Sequence, residues 1–399
     1  MYHIGFDIGS SSVKVAIVEA NSGKKVILVH EPENEMEIKV LHKDWAEQAP
    51  ELWWKYICKA SKRAIKESNI EASKITGIGI SYQMHGLVIV DKKGNSLRDS
   101  IIWCDSRAIT IGNRAFTELG EEKCSTNLLN SPGNFTASKL KWVKDNEPEI
   151  YQKIYKFMLP GDYIAYKLTG DISTTKSGLS EGILWDYNKD TVANWLLDYY
   201  KIDHSLTPKI VENFKNQGVL HSTASKETGL PIGIPVVYRA GDQPNNALSL
   251  NILKPGEVAA TGGTSGVIYA VTDILKSKES SRINHFAHVN YSNKNTVVGK
   301  LLCINGAGIQ YRWLKNHSGA DSYENMNRKA AKVHIGSDEV IVIPFGNGAE
   351  RMLNSKKCRN TFFEFKFKHT QSRTYVSSCI RRYCFFICIR NGNIKKGQC

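Results

Sequence analysis

The chain has 399 residues, of which 41% are hydrophobic, and a formal net charge of +14. This length favours two domains, and no apolar run approaches the roughly 20 residues of a membrane span, which argues against a membrane partner. The positive charge is uneven, because residues 355–399 contain eleven Lys or Arg and one acidic residue. The rest of the chain is nearly balanced, so we do not expect nucleic acid to be a partner.

The start of the chain predicts an antiparallel meander with an unusual first turn. Residues 4–8 are an apolar run containing Asp7, residues 13–18 alternate as a half-buried strand does, and residues 25–30 predict a third strand. The turn between the first two strands consists of one glycine and three serines, residues 9–12. Small residues let a polyphosphate approach the backbone, and an aspartate at a strand end suits Mg²⁺. The alternative is a plain hairpin with a polar tip.

Polar groups then follow two further predicted strands. A helix is predicted from Pro50 through residue 66, and strands over residues 75–80 and 87–90. A mixture of flat apolar faces, donors and acceptors suits a polyhydroxylated ligand. The alternative is a core histidine beside a surface Asp–Arg pair. The side chains concerned are Gln83, Met84, His85, Trp103, Asp105 and Arg107.

The centre of the chain predicts helices over residues 136–155 and 161–170, and a loop over residues 174–185. A strand over residues 236–240 ends at Asp242 and Gln243, and a helix is expected to follow.

A second small-residue turn, residues 261–266, lies between strands predicted over residues 257–260 and 267–271. This repeats the design at the start of the chain. Two such units suggest two related lobes that face one phosphate chain, and a turn used only to reverse the chain would not need six small residues.

Together these segments resemble the FGGY family of carbohydrate kinases, most closely its xylulokinase branch, from residue 1 to about residue 354. The most specific matches are residues 83–86, Trp103 with its neighbours, and residues 241–243. The resemblance implies an α/β fold of two ribonuclease-H-like, actin-like ATPase domains with mixed sheets flanked by helices. A sugar-binding domain would span residues 1–235, and a partial nucleotide-binding domain residues 236–354.

The resemblance also implies an activity, the ATP-dependent phosphorylation of a ketopentose, D-xylulose at its 5-hydroxyl, in a cytoplasmic enzyme of pentose catabolism. Another sugar or polyol is the alternative substrate, and a homodimer is the candidate assembly. Asp242 would be the general base, and Asp7 would hold Mg²⁺. The ATP-binding residues would be Gly9, Ser10, Ser11, Ser12, Lys14, Thr261, Gly262, Gly263 and Thr264. The sugar-binding residues would be Gln83, Met84, His85, Trp103, Asp105, Arg107, Asp242 and Gln243.

Residues 355–399 differ from the rest of the chain. They contain no Ala, Leu, Asp, Met, Pro or Trp and hold five of the nine cysteines. We expect a frameshifted or mis-joined coding sequence, an incomplete second domain and a poorly active or non-catalytic chain. The alternatives are a metal-binding appendage, although Cys384 and Cys388 are four apart and His369 is isolated, and a basic tail for nucleic acid or membrane. The other four cysteines are scattered, which fits a reducing compartment.

Overall fold

The computed structural model describes residues 1–262, 266–280, 282–304, 307–334, 337–343, 361–363 and 377–378. It confirms a mixed α/β fold. The strands are β1 Tyr2–Ile8, β2 Val13–Glu19, β3 Lys25–Glu31, β4 Glu47–Gln48, β5 Ile75–Tyr82, β6 Val88–Val90, β7 Ser100–Ile101, β8 Lys156–Met158, β9 Ser173–Thr175, β10 Trp185–Asp186, β11 Thr191–Val192, β12 Lys209–Val211, β13 Val236–Gly241, β14 Val258–Gly262, β15 Gly266–Thr272, β16 Asn284–Ala287, β17 Val298–Ile304, β18 Ile341–Ile343 and β19 Thr361–Phe363.

The α-helices are α1 Pro50–Ser68, α2 Ile109–Leu119, α3 Glu121–Asn127, α4 Thr136–Asn146, α5 Pro148–Tyr151, α6 Pro160–Thr169, α7 Lys176–Glu181, α8 Asn194–Tyr200, α9 Ser222–Thr228, α10 Asp242–Ser249, α11 Ala307–His317 and α12 Tyr323–Ala331. Short 3₁₀ helices span Ala72–Lys74, His204–Leu206 and Ser337–Glu339. Among the described residues, no helix combines the length and the apolar composition that crossing a bilayer requires.

The contacts within the chain define two compact units. The first contains Met1–Leu253, Asp273–Ser280 and His285–Gly299. The second contains Lys254–Thr272 and the described residues from 300 onward, together with residues 282–284. The first unit ends later than the predicted boundary after residue 235, because β13 pairs with β5 inside it. The predicted boundary at residue 354 lies outside the described residues.

The first unit is built on a five-stranded mixed sheet with the order β13-β5-β1-β2-β3. The predicted meander is confirmed, since β2 is antiparallel to both β1 and β3. Strands β5 and β13 are parallel to β1 and to each other. Alternate residues of β1 and β2 face the core, as the period of two in the sequence predicts. The deeply buried ones are Ile4, Phe6, Ile8, Val13, Val15 and Ile17.

Helix α1 packs on this sheet against β2 and β3. It begins with Pro50 at its first turn, as predicted, and ends at Ser68, where the C-cap residue Asn69 has a left-handed φ of 54°. Residues at helical spacing, among them Trp53, Ile57 and Ala64, form its buried face. A fully buried isoleucine such as Ile57 contributes about 1.5–3 kcal/mol to folding, so this face anchors the helix on the sheet.

The second unit contains the other predicted hairpin. Strands β14 and β15 are antiparallel, with Thr261 opposite Val267 and Gly262 opposite Gly266. Its helices α11 and α12 contribute to a small apolar core, in which Leu314 and Met326 are almost fully buried. Strand β19, the only described strand within residues 355–399, pairs with β18.

The structure corrects two predictions about secondary structure. The helix expected over residues 136–155 is divided into α4 and α5 and ends at Tyr151, because Pro148 cannot continue α4 and begins a new helix. Residues 174–185 were expected to form a loop, but they contain the end of β9, helix α7 and the start of β10. The side chain of Thr175 caps α7 by accepting a hydrogen bond from the backbone N–H of Gly178 at 3.0 Å. This cap and burial of nearly the whole segment outweigh the low helix propensity of its serines and glycine.

Candidate active site

Three sequence motifs meet at one edge of the five-stranded sheet. The strand register aligns Ile8 of β1 with Tyr82 of β5, and Tyr82 with Gly241 of β13. The residues that follow these three strands are the Gly/Ser turn, Gln83 and Asp242. Segments far apart in the sequence therefore share the carboxyl-terminal edge of parallel strands, where ligands bind in sheets of this kind.

The Gly/Ser turn is narrow and partly open to solvent. The backbone N–H of Gly9 donates to the carbonyl of Ser12 at 3.1 Å, and a Cβ on Gly9 would lie only 3.0 Å from that oxygen. The side-chain amide of Gln48 donates to the carbonyl of Ser10 at 2.6 Å and fixes the turn from behind. Ser11 is exposed, and Ser12 is partly exposed. The turn thus combines a fixed backbone with accessible hydroxyls.

Asp7 lies at the base of this turn. Its carboxylate accepts a hydrogen bond from the Ser81 hydroxyl at 3.0 Å and lies 3.1 Å from the ammonium of Lys14. The Asp7 side chain is 35% exposed, and Lys14 is exposed on the neighbouring strand. The two strands of the hairpin thereby place a negative and a positive charge beside the small-residue turn.

Asp242 is the first residue of α10, directly after β13. Its side chain is partly buried, and the amide of Gln243 donates to its carboxylate at 3.1 Å. Burial raises the pKa of Asp242 to about 6, and the negative charge of Asp7 adds to this effect. The hydrogen bonds from Gln243 and the charge of Lys14 act in the opposite direction. Asp242 is therefore a carboxylate near neutral pH that can still accept a proton.

Position 241 requires glycine, because two other side chains approach its backbone closely. A Cβ at this position would lie 2.4 Å from the Glu181 carboxylate and 2.5 Å from the Met84 side chain. Both of these side chains are almost fully buried, beneath the backbone that carries Asp242. Burial, with the negative charges of Asp162 and Asp242, raises the pKa of Glu181 well above its usual range. Burial therefore favours the protonated form of Glu181.

His85 is held in an unusual backbone conformation, with a φ of 62°. Its ring Nδ1 donates to the carbonyl oxygen of Glu181 at 3.0 Å. The ring also packs against two phenylalanines, with its centroid 4.7 Å from that of Phe135 and 5.1 Å from that of Phe286. A left-handed φ is costly for a residue with a side chain, so these contacts together hold the ring orientation.

The residues predicted beside Trp103 divide into two kinds. Trp103 is 44% exposed, and its indole N–H donates to the Ser10 hydroxyl at 3.4 Å, so its ring adjoins the Gly/Ser turn. The Asp105 and Arg107 side chains are 0% and 1% exposed and pair with each other at 2.7 Å. Arg107 also contacts Glu47 at 2.6 Å. The structure thus gives Asp105 and Arg107 partners within the protein, and their direct contact with a sugar stays a prediction.

The remaining predicted residues have varied surroundings. Gln83 is buried, and its amide donates to Gln48 at 3.3 Å, so it supports the Gly/Ser turn. Thr261 is partly exposed and Gly262 is exposed, and both lie in the second unit at the end of β14. The predicted phosphate-binding residues Gly263 and Thr264 lie outside the described residues.

Two buried ionisable residues near this edge were not predicted. Glu181 was not recognised, because residues 174–185 were wrongly predicted to form a loop. Lys139 lies in a predicted helix, where its position in the sequence carries no sign of burial. Within the described part of the chain, no three His, Cys, Asp or Glu side chains form a group that could bind a metal ion unaided, and no disulfide joins the described cysteines Cys58, Cys104, Cys124 and Cys303.

Comparison with known proteins identifies the family. The model of the N-terminal domain of the FGGY family of carbohydrate kinases matches residues 2–249, well over half of the chain. The chain belongs to this FGGY family. It is thereby a phosphotransferase that uses ATP and acts on an alcohol group of a sugar, as the resemblance implied.

Curated relatives and solved structures agree with this FGGY assignment. The chain is 28% identical over 376 residues to a xylulose kinase of Staphylococcus xylosus, covering 93% of this chain and 75% of the relative. It is 27% identical to a xylulose kinase of Escherichia coli K12, covering 92% and 73%. A crystal structure described as a xyloylose kinase from Brucella ovis matches with a TM-score of 0.86 at 26% identity, covering 98% and 78%. The predicted actin-like ATPase fold is confirmed.

Proposed function

We propose that this chain transfers the γ-phosphoryl group of ATP to the 5-hydroxyl of D-xylulose. The proposal rests on Asp242, whose carboxyl group has a pKa of about 6. Asp242 lies at the edge of the sheet where the Gly/Ser turn and the His85 segment also begin. The choice of a ketopentose is supported by the names of the relatives, since two xylulose kinases are 27–28% identical to this chain.

Asp242 is the proposed general base. Its carboxylate accepts the proton of the sugar hydroxyl as the hydroxyl oxygen forms a bond to the γ-phosphorus, and the bond from that phosphorus to the bridging oxygen of ADP breaks. Asp242 then releases the proton to solvent. A base of this kind contributes typically about 10²–10⁴-fold to the rate. Most of the remaining catalysis in phosphoryl transfer comes from positioning and charge.

The chemistry around Asp7 fits Mg²⁺. This ion prefers hard oxygen ligands and is usually held by one or two carboxylates together with substrate phosphates, and Asp7 presents a partly exposed carboxylate beside the Gly/Ser turn. Asp7 would hold the ion, which when bound would offset negative charge on the phosphates. The absence of a larger carboxylate cluster in the described residues is consistent with phosphate completing the coordination.

The proposed substrate contacts follow from the chemistry of the side chains and from the family resemblance. Backbone and hydroxyl groups of residues 9–12, with Lys14, would bind phosphate, and so would the second hairpin turn through Thr261–Thr264. Met84, His85 and Trp103 would line the sugar site, with Gln83 and Gln243 as supporting donors. Asp105 and Arg107 remain proposed sugar ligands, although their side chains are paired with each other.

A substrate panel tests the proposal. Purified full chain is incubated with ATP, Mg²⁺ and D-xylulose, D-ribulose, L-xylulose, glycerol or gluconate, and ADP release is measured with coupled enzymes. We expect the highest kcat/KM with D-xylulose. A higher value with a polyol or an aldonate would overturn the proposed substrate while leaving the family assignment intact. Sedimentation of the same sample tests the proposed homodimer.

Sugar binding without turnover is a second candidate function, favoured by the composition of residues 355–399. These residues lack Ala and Leu, and we propose that they derive from a frameshift and replace part of the nucleotide-binding domain. The full chain is then a poor kinase. A chain ending at Asn354 is the comparison, and robust turnover that requires residues 355–399 would refute the frameshift interpretation.

A further inference from the structure

Lys139 is a buried lysine that the proposed reaction does not use. It lies in α4, and its side chain is 0% exposed. Its ammonium donates to two backbone carbonyl oxygens, those of His85 and Ile102, each at 2.9 Å. Both acceptors belong to segments that lead to proposed sugar-binding side chains.

The surroundings of this ammonium are unfavourable for a charge. Burial lowers the pKa of Lys139 to about 8, and the nearby guanidinium of Arg107 acts in the same direction. Asp105 and Cys104 oppose this effect by favouring the charged form. An ammonium out of water is stable only where its hydrogen bonds are made, so the two carbonyl contacts are what keep this side chain in place.

The two acceptors lie in different segments of the chain. The carbonyl of His85 belongs to the segment between β5 and β6, and that of Ile102 to the segment after β7. His85 has a left-handed φ, a conformation that persists only where the surroundings fix it from several sides. Its ring is fixed by Glu181, Phe135 and Phe286, and its carbonyl by Lys139. The Ile102 carbonyl immediately precedes Trp103.

We infer that Lys139 is a positioning residue for sugar recognition, which ties the His85 segment to the Trp103 segment so that their side chains keep one spacing. The identity of the ligand in this inference rests on the proposed function, whereas the link between the two segments does not. Because a rigid site spends less of its binding free energy on ordering, loss of the tie should weaken sugar binding.

Lys139→Met keeps the length and apolar body of the side chain and removes the donors. The matched control is Lys141→Met on the same helix, since the ammonium of Lys141 pairs with Asp145 at i,i+4 within α4. D-Xylulose affinity is measured by calorimetry on full-length chains, beside their melting temperatures. We expect at least a ~10-fold weaker Kd for Lys139→Met and an unchanged Kd for Lys141→Met. A folded Lys139→Met protein with the parent Kd would overturn the inference.

Amide hydrogen exchange tests the tie without any ligand. It is compared between the parent and Lys139→Gln, a variant whose amide nitrogen ends one bond short of the lysine ammonium and which serves if the methionine variant does not fold. We expect faster exchange in residues 83–87 and 101–105 together. Unchanged protection in both segments would refute the tie. If the parent binds no ketopentose, only the proposed substrate fails, and the exchange result still decides the role of Lys139.

Discussion

Lowering the pH from 7 to 5 should remove most of the activity of this kinase, because its proposed base has a raised pKa. A pKa of about 6 leaves Asp242 about 90% deprotonated at pH 7 and only about 9% deprotonated at pH 5. With the ordinary aspartate value of 3.8, more than about 90% would still be deprotonated at pH 5. Since only the deprotonated carboxylate accepts a proton, activity should fall as pH falls through 6.

The assay is the pH dependence of kcat/KM for D-xylulose, which reports groups of the free enzyme. We expect a roughly tenfold fall per pH unit below about pH 6. Carbon-13 NMR of the aspartate carboxyl carbons gives the pKa directly, and Asp242→Asn assigns the resonance. The NMR measurement needs no turnover, so it remains informative if the chain is a poor kinase.

Asp242→Asn is the matched substitution, because it keeps the shape and removes the proton acceptor. Its kcat should fall at least ~100-fold, with a much smaller change in sugar affinity. Near-parental turnover in this variant would exclude Asp242 as the base. If kcat/KM of the parent protein instead falls only near pH 4, the argument that burial and Asp7 raise the pKa of Asp242 is refuted.

Three further substitutions test the surroundings of the base. His85→Ala should weaken sugar binding by roughly 1–3 kcal/mol, because hydroxyl partners are left unpaired; unchanged calorimetric affinity would make His85 a core residue. Gly241→Ala should destabilise the fold by about 1–3 kcal/mol in thermal denaturation, since its Cβ would overlap Glu181 and Met84, while Gly5→Ala, with open space around it, serves as control. Glu181→Gln should leave the pKa in the pH dependence of kcat/KM unchanged, because burial favours the protonated form of the native side chain; a lower pKa in this variant would mean that Glu181 is ionised.

The strands of the sheet that carry the candidate site could be predicted because local patterns determine them. The alternation in residues 13–18 and the small turn before it gave the hairpin correctly, and β13 was correctly predicted to end near Asp242. These features need only the period of a strand and the chemistry of its terminal residues. Helix α7 could not be predicted in this way, because tertiary burial stabilises it against its own composition.

The pairing of side chains was harder to predict than their presence. Asp105 and Arg107 have the chemistry of sugar ligands, and the sequence shows that they are near each other. It does not show that Trp45 stacks on the guanidinium at 3.8 Å or that Glu47 approaches from a distant strand. Those neighbours decide whether the donors of Arg107 face solvent or the protein, and only the folded chain brings them together.

The electrostatic link between Asp7 and Asp242 is the clearest case of a property that belongs to the fold. Each residue ends a recognisable motif, but their interaction depends on the strand order β13-β5-β1, which leaves one strand between them. At the usual strand spacing this places the two backbones about 10 Å apart, close enough for one charge to act on the other across a partly buried edge. Lys14 offsets this charge only in part, since Asp7 still raises the pKa of Asp242. Asp7, the proposed ligand of the cation, therefore also raises the pKa of Asp242, the proposed base for the sugar hydroxyl.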